Sequence, residues 1–215
     1  MASDPYNPLD KINLANSVAG ALLRQKVRPL GDAGGIVGAG VYAIYYTGGF
    51  PAYAPITERN RDGVFFQPIY VGKAIPKGGR KGGLGMDSSK GTALSSRLKK
   101  HAGSIDAANN LDIADFHFRC LVVDDIWIPL GENILIEELK PVWNMVVDGF
   151  GINDPGSGRY NQARSQWDVL HSGRGYADKL KPGKNTIDEI TRLIADFFAG
   201  RFQPTSPVDS GDGDD

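Results

Sequence analysis

Gly40-Val41-Tyr42-Ala43-Ile44-Tyr45-Tyr46 is dense in β-branched and aromatic residues, and it predicts a strand over 40–46. A second run of strand composition, VFFQPIYVGKA, spans 64–74. Between them, 47–63 carries Gly48, Gly49, Pro51, Pro55 and a charged cluster from Glu58 to Asp62, which reads as an exposed loop. The two strands therefore pair as a hairpin with a long insertion. Upstream, 8–24 spaces Leu9, Ile12, Val18 and Leu22 as a helix. Downstream, a Gly/Lys-rich loop fills 75–91, and an amphipathic helix begins at Thr92. That helix puts Leu94, Leu98 and Ala102 on one face, with Arg97 and His101 on another. IADFHFRCLVVD (113–124) alternates as a third strand, and Pro129 opens a helix that Pro141 ends. The stretch 142–184 is glycine-rich but holds Trp143, Tyr160 and Trp167, so it is expected to be ordered decoration. Thr186-Ile187-Asp188-Glu189 is a capping box for a last helix, with Ile190, Leu193, Ile194 and Phe197 turned inward. Mixed elements that do not alternate regularly make the fold class α+β, with a small antiparallel three-stranded sheet flanked by helices.

Composition narrows the function. The 215 residues suffice for one sizeable core. No run of eighteen apolar residues occurs, and MASDPYNPLDKIN lacks a basic region followed by an apolar one, so a cytoplasmic location with no membrane contact is expected. A single cysteine, Cys120, excludes a disulfide framework or thiolate zinc cluster, and His101, His117 and His171 lie far apart. Any metal would be held by oxygen ligands. Residues 203–215 form an acidic tail expected to be disordered, and the remainder carries 24 basic against 21 acidic residues. The excess is local. From 72 to 103 there are eight Lys/Arg against Asp87 alone, and 157–184 is also basic, as suits a polyanion. Neither glycine-rich segment is a nucleotide P-loop: Lys90 follows serine rather than glycine, and Gly183-Lys184 is followed by Asn185. His117 reads as an exposed strand position and Cys120 as core. His171 suits a DNA contact or loop structure equally.

Chemistry is carried by an ordered set: Gly40-Val41-Tyr42 and Tyr70-Val71-Gly72 in paired strands, Arg97 and His101 one turn apart, then Glu132, Pro141 and Asn144. This order resembles the GIY-YIG nuclease superfamily, with valine for both isoleucines and with longer spacings before Tyr70 and Arg97. YVGKAIPKGGRKGGLG, GTALSSRLKKHAGSI and GFGINDPGSGRYNQARSQWDVLHSGR are similar to type II restriction endonucleases on that scaffold that cut CCGCGG. The resemblance implies a helical extension over 1–36, a catalytic core over 37–145 with insertions at 47–63 and 75–91, and a DNA-contacting extension over 146–202. It also implies site roles. Glu132 would bind Mg²⁺, with Mn²⁺ as the alternative; a helix dipole acting on a first-turn glutamate is the plainer account of that residue. Arg97 would neutralise phosphate charge, and His101 would polarise a tyrosine or touch the phosphate. Tyr42 would act as base on water, which a phenol near pKa 10 does only with help from neighbouring charge or a concerted transfer. Tyr70 would orient water or phosphate, Lys73 would touch either, and Asn144 would fix local geometry. Base or backbone contacts would come from Arg80, Lys81, Arg159, Asn161, Gln162, Arg164 and Arg174.

Double-stranded DNA is the expected partner. One active site per chain and a palindromic target imply a homodimer, and a restriction enzyme implies a companion methyltransferase. A repair or homing-type nuclease would usually bring a separate DNA-binding domain, for which little chain follows Asn144. A non-catalytic DNA-binding module would be expected to lack Arg97 or Glu132, and both are present.

Overall fold

A computed structural model of the chain describes residues 7–75, 89–152 and 154–202. Its centre is an antiparallel sheet in the order β1-β4-β2-β3, formed by β1 (Arg28–Pro29), β2 (Gly40–Tyr46), β3 (Pro68–Ala74) and β4 (Phe116–Val122). The helices are α1 (Lys11–Leu23), α2 (Ala54–Arg59), α3 (Ala93–Asp106), α4 (Ile128–Leu139), α5 (Val142–Met145), α6 (Gln166–Leu170) and α7 (Ile187–Phe198). The three long strands are the expected ones. The two-residue β1 is an addition, too short to leave a pattern.

Strand β2 is buried from end to end because both its faces are covered. Tyr42, Ile44 and Tyr46 pack under Leu94, Leu98 and Ile105 of α3 and against Trp143, Phe150, Trp167, Ile190 and Ile194. Val41, Ala43 and Tyr45 face the other way, onto Ala15, Ala19 and Leu22 of α1 and Ile128, Ile134 and Leu135 of α4. The period-2 alternation of one strand thus builds two apolar layers. Residues after 146 contribute to the same buried cluster as Tyr42 and Tyr70, so the C-terminal segment is continuous with the core.

Several boundaries moved. The segment 47–63 is not simply an exposed loop: it contains α2, and Tyr53, Ile56 and Asn60 are buried. The Asn60 amide donates to the carbonyls of Tyr46 and Gln67 and accepts from the Gln67 N–H, tying the insertion to both strands. Consequently β3 starts at Pro68, and Val64 and Phe66 stay exposed. In α3, Arg97 and His101 are buried together with Leu94 and Leu98 in one wide arc, rather than facing away. Helix α4 ends as expected, with Lys140 left-handed (φ 43°) before Pro141. The capping box of α7 forms: Thr186 accepts from the Glu189 N–H, and Glu189 accepts from the Thr186 N–H at 2.8 Å. The acidic-tail expectation lies outside the described residues. Among the described residues no helix is long and apolar enough to cross a membrane.

Candidate active site

Tyr42 sits mid-strand in β2, opposite Gly72 of β3 on one side and Cys120 of β4 on the other. The phenol lies over Gly72, where an added Cβ would run into its ring and hydroxyl. Gly40 is needed for a similar reason, since a Cβ there would strike the Leu121 carbonyl. Both triplet glycines therefore exist to allow close approach. Tyr70 pairs with Ile44, and so shares the Tyr42 face of the sheet. The outer edge of β3 is held by Asn144, whose side-chain amide donates to the Val71 carbonyl (2.9 Å) and accepts from the Val71 N–H (2.8 Å). Two such bonds stabilise by about 1 kcal/mol each and fix the residue between Tyr70 and Gly72.

From α3, His101 brings Nε2 to 2.7 Å from the Tyr42 hydroxyl, and the Arg97 guanidinium also bonds that hydroxyl. The Tyr70 ring lies against His101 with centroids 5.2 Å apart, and Phe150 stacks on the imidazole at 4.6 Å and 18°. Glu132 comes from α4, on the opposite face of the sheet from α3. It is not in the first turn of that helix, so the dipole does not account for it. Lys73 of β3 donates to its Oε2 at 2.6 Å. The carboxylate is still near enough to push the Tyr42 phenol up.

All five central groups are buried, from 0% exposure for Tyr42 to 8% for Arg97. Burial, reinforced by Tyr70 and only partly offset by Arg97, holds the Tyr42 phenol well above its ordinary value. Burial and the positive charges of Arg97, Arg174 and Lys100 hold His101 well below the usual histidine range. Both groups are therefore neutral near pH 7, and with the imidazole protonated on Nδ1 Tyr42 donates its O–H to His101 Nε2 while its oxygen accepts from Arg97. A standing phenolate is disfavoured, and transfer of the phenol proton to the imidazole is the open route.

Among the described residues no three His, Cys, Asp or Glu side chains cluster as a metal centre. Glu132 nonetheless suits a hard cation. It is a largely buried oxygen donor beside the cluster, and the Lys73 ammonium already rests against it as a stand-in positive charge.

Of the basic candidates, Arg159, Asn161 and Gln162 are exposed. Arg164 is half-buried and pairs with Asp178 at 3.2 Å. Arg80 and Lys81 lie outside the described residues. Arg174 is a correction: it is buried, with Nε 2.7 Å from Asp168 and its remaining nitrogens on the carbonyls of Gly149, Phe150 and Ile152. Its donors are consumed inside the fold, so it presents no fork to a base edge. His171 is fully buried between Tyr53 and Asn110, which makes its role structural. His117 is half-buried against Phe65, and Cys120 is half-buried against the core. Sequence reasoning missed Phe150, whose only signal was an aromatic residue flanked by glycines.

An antiparallel sheet that carries Gly-Val-Tyr and Tyr-Val-Gly on neighbouring strands, crossed by an Arg/His helix and a Glu helix, defines a GIY-YIG nuclease domain. Residues 35–198 match the family model described as the Eco29kI GIY-YIG domain. The match spans more than half of the chain, and the chain belongs to that restriction endonuclease family. No curated protein matches it. As a nuclease it takes DNA as its substrate.

Proposed function

We propose that this nuclease is a type II restriction endonuclease that hydrolyses phosphodiester bonds at a G·C-rich palindrome, CCGCGG, with Mg²⁺. The observation that carries the chemistry is the Tyr42 hydroxyl set between Arg97 and a neutral His101. In this reading Tyr42 takes a proton from the attacking water as it passes its own to His101 Nε2, so no buried phenolate accumulates. Arg97 then faces the negative charge that develops on the phosphate oxygens, while Tyr70 and Lys73 orient water or phosphate. Asn144 acts at one remove, by holding β3. Glu132 would hold Mg²⁺, with Mn²⁺ as the alternative, and the bound ion would neutralise phosphate charge and assist the leaving 3′ oxygen.

Sequence reading falls to the exposed side chains of the C-terminal segment, Arg159, Asn161 and Gln162, with Arg164 beside them and Arg80 and Lys81 from the first basic loop. A palindromic target cut on both strands implies a two-fold dimer, and protection of the host genome in the cytoplasm implies a partner methyltransferase. The test is cleavage of plasmid with Mg²⁺, wild type against Glu132→Ala. Discrete fragments from the wild type and none from the variant are expected, with sequenced ends lying at one palindrome. A smear, or nicks confined to branched junctions, would favour a repair or homing enzyme. Equal cutting by both proteins would remove Glu132 from the chemistry.

A further inference from the structure

Arg174 is an unusual arginine to find on the C-terminal segment of a DNA enzyme, because none of its bonding faces outward. Its guanidinium is sandwiched between Trp167 (4.4 Å to the ring centre) and Tyr176 (5.2 Å), and its charge is matched by Asp168. The other nitrogens converge on one short turn: Gly149 O at 2.9 Å, Ile152 O at 3.1 Å and Phe150 O at 3.3 Å. Three carbonyls of a four-residue turn on one planar fork is a clamp, and a lysine could not reproduce it.

That turn is also the one that touches the active cluster. Its Phe150 ring stacks on His101 and meets Tyr70 edge-on at 5.0 Å. The next carbonyl, Gly151 O, accepts from the Arg97 guanidinium at 3.3 Å. Both α3 side chains that bond the Tyr42 hydroxyl are thus braced from behind by 149–152, and 149–152 is braced by Arg174.

We infer that Arg174 is a positioning residue: by gripping the 149–152 turn it sets Phe150 against the His101 ring and the Gly151 carbonyl against Arg97, and so aims both at Tyr42. The kinetic readout rests on the nuclease reading above, whereas the spectroscopic one does not. An aromatic ring stacked on an imidazole shields its ring protons, so His101 should resonate upfield. With only three histidines in the chain, that signal is readily isolated, and Tyr42→Phe identifies it. In Arg174→Lys the charge opposite Asp168 remains but the three carbonyl bonds go. The His101 ring protons are expected to lose their upfield displacement although Phe150 is still present, and single-turnover cleavage should fall about 10–100-fold with DNA affinity unchanged. Should Arg174→Lys fail to fold, Asp168→Asn combined with Arg174→Met removes both charges together and serves for the same measurement.

Retention of the upfield signal in a folded variant overturns the inference, and so does wild-type single-turnover cleavage once the signal is lost. If the wild type cuts no DNA at all, the function is wrong, yet loss of the stacking signal in the variant still supports the clamp.

Discussion

Tyr42 and Tyr53 are both fully buried, and each places its hydroxyl 2.7 Å from the Nε2 of a histidine, His101 in one case and His171 in the other. Each phenol oxygen also accepts one N–H. At Tyr42 the donor is the Arg97 guanidinium, and at Tyr53 it is the Trp143 indole at 2.8 Å. The second pair is closed by Asn110, whose carbonyl accepts from His171 Nδ1 at 2.9 Å and whose amide donates to Leu170. Around the first pair stand a guanidinium, an ammonium and a carboxylate. The groups that bond the second pair are neutral and mutually satisfied, and the nearby Arg174 guanidinium, which also pushes His171 down, is matched by Asp168. The same two side chains at the same distance thus make a candidate proton relay in one place and a structural tie in the other. What differs is whether a charged group bonds the phenol itself, where it can stabilise a moved proton.

Matched substitutions break this symmetry most sharply. Tyr42→Phe is expected to lower single-turnover cleavage by about 10²–10⁴-fold while DNA affinity stays within a factor of about three, since a single hydroxyl is removed. Tyr53→Phe should cut at the wild-type rate but unfold more easily, by about 1–3 kcal/mol, because the Trp143 N–H and His171 Nε2 lose their shared partner inside the core. Urea unfolding and single-turnover kinetics on both variants check the contrast. Wild-type cutting by Tyr42→Phe would end its role as base.

How far each pair was legible in the sequence follows from what each depends on. Strand β2, the end of α4 at Pro141 and the capping box at Thr186 obey local rules and could be read directly. The residues around Tyr42 could be singled out because their order along the chain is distinctive. The second pair could not, because it joins an insertion helix to a segment more than a hundred residues later, and nothing at Tyr53 announces His171. Helix α2 was hidden for a related reason: its place depends on Asn60 bonding two strands, a tertiary contact. Arg174 misled because arginine among glycines in a basic segment looks like a DNA contact until Asp168 is seen beside it. Nor does any motif carry the neutrality of His101, which arises from burial under Phe150 and Tyr70.

Acidification separates folding from chemistry. Burial holds His171 down to about 3, and His101 moves in the same direction. Unfolded histidine titrates near 6.5, so between about 6.5 and 3 the unfolded chain binds a proton that the folded chain refuses. Stability is therefore complete above about 6.5 and erodes as the pH falls through that window, at up to about 1.4 kcal/mol per pH unit for each histidine. His171→Gln should flatten the slope by one histidine's share in urea midpoints taken from pH 7 to 4. Cleavage by the surviving folded fraction should persist below pH 6.5, because His101 is still neutral there. An unchanged slope would mean that His171 is charged in the folded protein.

The smallest effect expected is also the most discriminating for the second pair. Asn110 accepts from His171 Nδ1, yet it is an exposed residue, so water can replace its amide in Asn110→Ala. The loss should stay below about 1 kcal/mol, well under that of Tyr53→Phe, where no water can reach the vacated Trp143 N–H and His171 Nε2. Cleavage should not change. If it falls while stability holds, the aromatic chain running from His171 through Trp143 and Phe150 to His101 transmits the disturbance, and the two pairs are coupled rather than independent.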